Sequence, residues 1–258
     1  MKTPVLPFKL NFSHNQTLPP DGLLVRLQAA PDDDEPLTGE EYAGSLSLLD
    51  LFAQCVHAQF FREYGTRPAR MQAQTLQWDA SLQACVWQGQ AQQVPSSAWV
   101  YLLALLNKSH DALEPLGQVS IEMGSAHSLP QWPHVCQLIT EDFDLDRYAF
   151  TCEAPGIDAS RNVLLEFEFV DALTKTQADE VIGLCSLWQQ LNVLGAFDLE
   201  FGQADDLDPM RDAEQVSPIR VTCMIPYFRG HLSGLQILFN MVAHVHANVA
   251  PIEEVMLG

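Results

Sequence analysis

The residues of this chain with the means to do chemistry are mostly acids. Asp142-Phe143-Asp144-Leu145-Asp146, with Glu153 in the twelfth position, has the oxygen-ligand spacing of a calcium loop. Its sixth position is Arg147, where such a loop needs glycine for its sharp turn. The alternation of acid with Phe143 and Leu145 is instead that of a half-exposed strand, so no metal ligand is assigned. Glu166 and Glu168 alternate with Leu165, Phe167 and Phe169, which sets both carboxylates on one strand face, the solvent face. Glu40 and Glu41 carry no stronger acid–base signal.

Nucleophiles and phosphate binders are equally sparse. Gly230-His231-Leu232-Ser233-Gly234 lacks the spacing of a nucleophile elbow, and no glycine-rich phosphate loop is present. Cys55, Cys85, Cys136, Cys152, Cys185 and Cys223 stand singly among apolar neighbours without a CxxC pair, the pattern of free buried thiols. His244 and His246, two apart on a helix, diverge and cannot chelate one ion. His110 and His246 sit near the ends of two matching helices, where a C-terminal dipole and free carbonyls favour an imidazole. They are also the candidates for a small-ligand site in a cleft between two halves. No catalytic residue and no cofactor is assigned.

Charge narrows the partners. The chain carries 13 Lys+Arg against 33 Asp+Glu, a formal net charge of −20. Residues 1–128 hold 7 basic and 13 acidic residues, and residues 129–258 hold 6 and 20. A polyphosphate backbone needs a basic face, so DNA and RNA are excluded as direct partners. A basic protein is the expected one, met through Asp32, Asp33 and Asp34 in one loop and Asp205, Asp206, Asp208, Asp212 and Glu214 in another. Pro4, Pro7 and Lys9 interrupt the apolar character of the start, and no stretch approaches the roughly 18 apolar residues of a membrane span. A cytoplasmic protein away from membranes is the expectation.

The elements that must position these residues repeat. An offset of 136 residues lays Leu37–Phe61 over Leu173–Phe197, with Thr38/Thr174, Leu48/Leu184, Leu51/Leu187 and Gln54/Gln190 among the identities. The same offset lays Pro95–Gly117 over His231–Glu253, matching Leu102/Leu238, His110/His246 and Pro115/Pro251. Thr38-x-x-Glu41 and Thr174-x-x-Gln177 both read as capping boxes. Each opens a helix with an apolar stripe, Leu46, Leu49, Ala53, Val56 and Phe60 in one and Ile182, Cys185, Trp188 and Leu191 in the other. Trp99 and Trp188 belong to such stripes, whereas Trp132 sits among prolines.

Strands are expected at Pro7–Ser13, Leu23–Gln28, Met71–Trp78, Ala84–Gly89 and Gln118–Met123, and again at Arg147–Glu153, Val163–Val170, Phe197–Phe201, Ile219–Tyr227 and Glu253–Leu257. Helices at Ser97–His110 and Leu232–His246 complete the pattern. The expected fold is thus α+β and internally duplicated. Residues 1–128 and 129–258 each form a β-α-β-β-α-β unit of ferredoxin-like order behind an extra leading strand, with antiparallel sheets and helices on one face. Ser125–Pro133 reads as the linker and Asp205–Ser217 as a mobile loop. Such a fold hosts many activities. The leading functional expectation is a non-enzymatic, acidic protein-binding module, for instance an immunity or inhibitor protein. The alternatives are a small-ligand-binding protein or enzyme, and a structural subunit of a larger assembly.

Overall fold

The computed structural model describes residues 6–30, 43–63, 66–112, 116–131, 148–153, 163–197, 213–225 and 232–258. Its elements are, in order, β1 (Lys9–His14), β2 (Gly22–Ala29), α1 (Ala43–His57), β3 (Arg70–Asp79), β4 (Ala84–Gln92), α2 (Ala98–Ala112), β5 (Leu116–Met123), β6 (Thr151–Glu153), β7 (Val163–Phe169), α3 (Lys175–Val193), β8 (Glu214–Ser217), β9 (Arg220–Ile225), α4 (Leu232–Asn248) and β10 (Ile252–Leu257). Among the described residues the chain is α+β, with two mixed five-stranded sheets and four helices. The sheet orders are β1-β5-β2-β4-β3 and β6-β10-β7-β9-β8, the same order twice. The chain divides into two compact units, one holding the first sheet and the other the second. No described helix is long and apolar enough to cross a membrane.

In the first unit β2 pairs antiparallel with both β4 and β5, β3 pairs antiparallel with β4, and β1 runs parallel to β5. The expected all-antiparallel sheet is therefore corrected to a mixed one. The reason lies in the connection Asn15–Asp21, which is long enough to straddle β5, so that β1 and β2 flank that strand instead of pairing with each other as a tight hairpin would. Asn15 N donates to Met123 O at 2.9 Å and Gly124 N to Gly22 O at 2.8 Å, fixing this crossover to the end of β5. α1 packs on β3, on β4 and on α2. Its stripe is buried at Leu49, Ala53 and Val56, with Phe60 just beyond, and Trp99 and Tyr101 of α2 are buried too. Phe52 and Phe61 stack at 5.4 Å between centroids, and Phe61 stacks on Tyr101 at 5.1 Å.

The second unit repeats the pairing, with β6 parallel to β10 and β10-β7-β9-β8 antiparallel. α3 opens on the expected capping box: Gln177 N donates to Thr174 Oγ1 at 3.3 Å, and Thr174 N to Gln177 Oε1 at 3.0 Å. Its matching box at Thr38 lies outside the described residues. The buried stripe of α3 runs through Ala178, Val181, Leu184, Cys185, Trp188 and Leu191. Cys185, Trp188 and Leu191 are buried as expected, whereas Ile182 is half-buried and Val181 beside it takes the core place. α3 packs on β8, β9 and α4.

Two strand expectations change here. Within 197–201 only Phe197 is described, in a turn, and the strand preceding β9 is Glu214–Ser217, inside the segment expected to be a mobile loop. Alternation of Gln215 with Glu214 and Val216 is a weak strand signal, and β9 supplies the pairing that makes it one. The leading strand of this half is only Thr151–Glu153 long.

Candidate functional site

Along β7, β9 and β10 every second side chain is buried: Leu165, Phe167 and Phe169, then Val221, Cys223 and Ile225, then Val255 and Leu257. The other face of these strands carries half-buried side chains, Glu166, Glu168, Arg220 and Glu254 among them, and register decides how they stand together. One row across the sheet is Thr151, Glu254, Glu168, Arg220 and Ser217; the next is Glu153, Met256, Glu166, Thr222 and Glu214. Five carboxylates thus share a face with one guanidinium. Arg220 donates to Glu168 Oε2 at 2.7 Å and lies 3.3 Å from Glu166 Oε1. The hydrogen bond to Glu168 and the charges of Glu168 and Glu166 raise the pKa of Arg220 above its ordinary value. Glu153, Glu254 and Glu214 have no ion pair with another described residue.

The field reaches the thiol between them. Cys152, on β6, has its pKa pushed up to about 11, first by burial and then by the negative charge of Glu254. It is a protonated thiol at neutral pH, unlike the thiolate a nucleophile requires.

The equivalent face of the first sheet carries a different chemistry. Its rows read Asn11, Ser120, Arg26, Val86, Gln77 and Ser13, Glu122, Leu24, Gln88, Thr75. Arg26 is ion-paired with Glu122, and Asn15 Nδ2 donates to the other oxygen of that carboxylate at 2.6 Å. Where the second sheet has its five acids these rows have Ser120, Arg26, Ser13, Leu24 and Thr75, and Glu122 is the one acid in them.

A second polar group lies inside the second unit. Cys185 of α3 and Cys223 of β9 are buried, and Gln189 Nε2 donates to Cys223 Sγ at 3.0 Å and to Met224 O at 3.1 Å. The hydrogen bond with Cys223, ahead of burial, pushes the Cys185 thiol up. Neither thiol is in a disulfide, nor are those of Cys55, Cys85 and Cys152. Together with Gln189 they tie α3 to β9.

Most residues expected to meet a partner, Asp32, Asp33, Asp34, Asp205, Asp206, Asp208 and Asp212, lie outside the described residues, as do Asp142–Arg147 of the calcium-like spacing. Glu214 is described: it is exposed on the edge strand β8, opposite Thr222. His110 lies on α2, its side chain outside the described set. His246, in the last turn of α4, corrects the expectation of a bond to free carbonyls. Its Nδ1 accepts from Ile252 N at 3.0 Å, at the start of β10, and its ring lies 6.0 Å from that of Phe150. Among the described residues no three His, Cys, Asp or Glu side chains group to hold a metal ion.

No protein-family model matches this chain, and no curated protein is similar to it in sequence.

Proposed function

We propose that the chain is a non-enzymatic binding protein whose second unit presents an acidic sheet face to a basic protein, in the manner of an immunity or inhibitor protein. The observation that carries this reading is the register that sets Glu153, Glu254, Glu166, Glu168 and Glu214 on one sheet face with Arg220 as the single cation among the described residues of that face. Carboxylates in excess of the cation beside them raise the encounter rate with a cationic surface and disfavour acidic competitors. The acidic segments at Asp32–Asp34 and Asp205–Asp212 extend the same charge preference.

Strand order supports a duplicated, ferredoxin-like framework beneath this surface. Leaving out β1 and β6, the strands joined by α1 are split by β4, and those joined by α2 are split by β2; the second sheet repeats both relationships. Two such split βαβ units per half are what a ferredoxin-like arrangement requires, and they support that reading.

The test is retention of basic proteins from the source cell on the immobilised full chain, run beside a Glu153→Gln/Glu254→Gln/Glu214→Gln variant and a charge reversal at Asp205, Asp206 and Asp208. The reading requires one basic protein that the wild type retains, that salt releases, and that at least one variant loses. A partner bound equally by all three chains and indifferent to salt overturns it.

A further inference from the structure

The first unit contains a cavity of about 350 Å³ at the end of β3 and β4, lined by Asp21, Arg67, Arg70, Gln92, Gln93 and His127. We propose that it binds a small organic phosphate of the hydroxyl-bearing, sugar-phosphate kind.

Composition makes the lining notable. In a chain with 13 Lys+Arg against 33 Asp+Glu, two arginines three residues apart open on one cavity, and neither has an ion pair with another described residue. Arg26, in the same unit, is paired with Glu122. Guanidinium groups present forked donors that match phosphate oxygens, and unpaired they are ready to do so.

His127 is the second observation. Its Nε2 is buried and has no hydrogen-bond partner among the described residues. Buried polar atoms are nearly always satisfied, so an orphaned imidazole nitrogen in the wall of this cavity singles the place out. The imidazole is held in place by backbone: Ala126 N donates to Pro20 O at 3.0 Å and His127 N to Gly124 O at 3.2 Å. The segment expected to be a loose linker therefore begins as a pinned wall. Gln93, across the cavity, has φ 54°, a left-handed conformation that a non-glycine residue rarely holds and that concentrates at binding sites.

Asp21 sets the rest of the ligand. It accepts from Gln92 Nε2 at 2.8 Å, and a carboxylate in the wall repels bare polyanions while its free lone pairs accept from hydroxyls. The volume is that of a ligand of metabolite size.

The experiment is calorimetric titration of the full chain at low ionic strength with ribose 5-phosphate, inorganic phosphate and ribose. Imidazole nitrogen resonances are followed in parallel, with His127 assigned through His127→Asn. Expected are binding of ribose 5-phosphate at least tenfold tighter than of inorganic phosphate, none of ribose, and a shift of the His127 Nε2 resonance on binding. Arg67→Gln and Arg70→Gln should each weaken binding about tenfold or more, and Arg26→Gln should leave it unchanged. Both arginines are exposed, so these variants will fold. Binding that persists in the Arg67→Gln/Arg70→Gln variant, an unmoved His127 resonance, or no binding of ribose 5-phosphate at millimolar concentration overturns the proposal.

Discussion

Arg220 on β9 stands directly across from Glu168 on β7, bonding it at 2.7 Å, and reaches Glu166 two residues along the same strand at 3.3 Å. One guanidinium thereby holds two carboxylates that would otherwise face each other's field unaided. Arg220→Gln should lower the urea midpoint of the chain at low ionic strength, and added salt should narrow the gap, since exposed charges are screened within a Debye length of about 10 Å at 0.1 M. The same variant should bind a basic partner more tightly. Midpoints that coincide with wild type at both salt concentrations would show that the carboxylates do not need their cation.

Glu254 lies opposite Glu168, a like-charge cross-strand pair. Glu254→Gln removes that repulsion and should stabilise the chain by about 0.5 kcal/mol, within the range for such pairs. It also removes the second cause of the raised Cys152 pKa. A negative neighbour disfavours the thiolate, so its loss should lower that pKa from about 11 and speed alkylation of Cys152 by iodoacetamide at pH 9. Burial remains the larger cause, so a modest acceleration of about twofold is the expectation. An unchanged rate would place Glu254 too far away to act.

Alkaline stability follows from the thiols together. Burial pushes Cys85 up to about 12 and Cys55 well above the ordinary thiol value of 9.0; Cys152 and Cys185 move the same way. Each folded-state pKa is raised, so the native state binds protons that the unfolded chain releases above pH 9. Their contribution is fully present below pH 9 and is lost as pH rises toward 11 and 12. Urea midpoints should fall across that window, and Cys85→Ala should flatten the slope even while it lowers stability at pH 7 by leaving a cavity. A slope indifferent to Cys85 would contradict the account.

What could be read from residue order was whatever a short segment decides for itself. The Thr174–Gln177 cap, the period-two burial of β7 and the core places of Trp99 and Trp188 are local, and each appears in the structure. The parallel seat of β1 beside β5 depends on a partner more than a hundred residues away, and nothing in Lys9–His14 announces direction. Glu166 and Glu168 were legible as outward-facing, but not the register that brings Glu254, Glu153 and Glu214 to the same surface. His127 was hidden for a related reason. It follows Gly124 in a stretch read as linker, and only the hydrogen bonds to Pro20 and Gly124 make that stretch a wall. Arg67 and Arg70, two of the 13 basic residues in the chain standing three apart, were the available signal.

Thr174 offers a clean test of the cap. Thr174→Ala should cost about 1 kcal/mol, while Thr174→Ser should retain nearly all of it because the hydroxyl still accepts from Gln177 N. Gln177 does a second job, donating Nε2 to Val249 O at 2.8 Å at the end of α4. Gln177→Glu keeps the acceptor for Thr174 N but loses that donor. It should therefore fall below wild type by about 1 kcal/mol, and equal stability would mean that the contact with Val249 contributes nothing.

Gly124 couples the fold of the first unit to its cavity. A Cβ there would meet Pro19 O at 2.0 Å and Pro20 O at 2.5 Å, both backbone atoms with no way to swing aside. The two loops that meet at this point also hold His127, through Ala126 N to Pro20 O. Gly124→Ala must push them apart and should destabilise the chain by about 2 kcal/mol or more. Gly183 is the control: it lies within α3 with nothing inside 4 Å of the added atom, so Gly183→Ala should raise stability by about 1 kcal/mol. If the loops are what position the imidazole, the Gly124→Ala chain that remains folded will also lose its affinity for ribose 5-phosphate, whereas Gly183→Ala will keep it. Loss of stability with undiminished phosphate binding would separate the glycine from the cavity and leave it as a packing requirement alone.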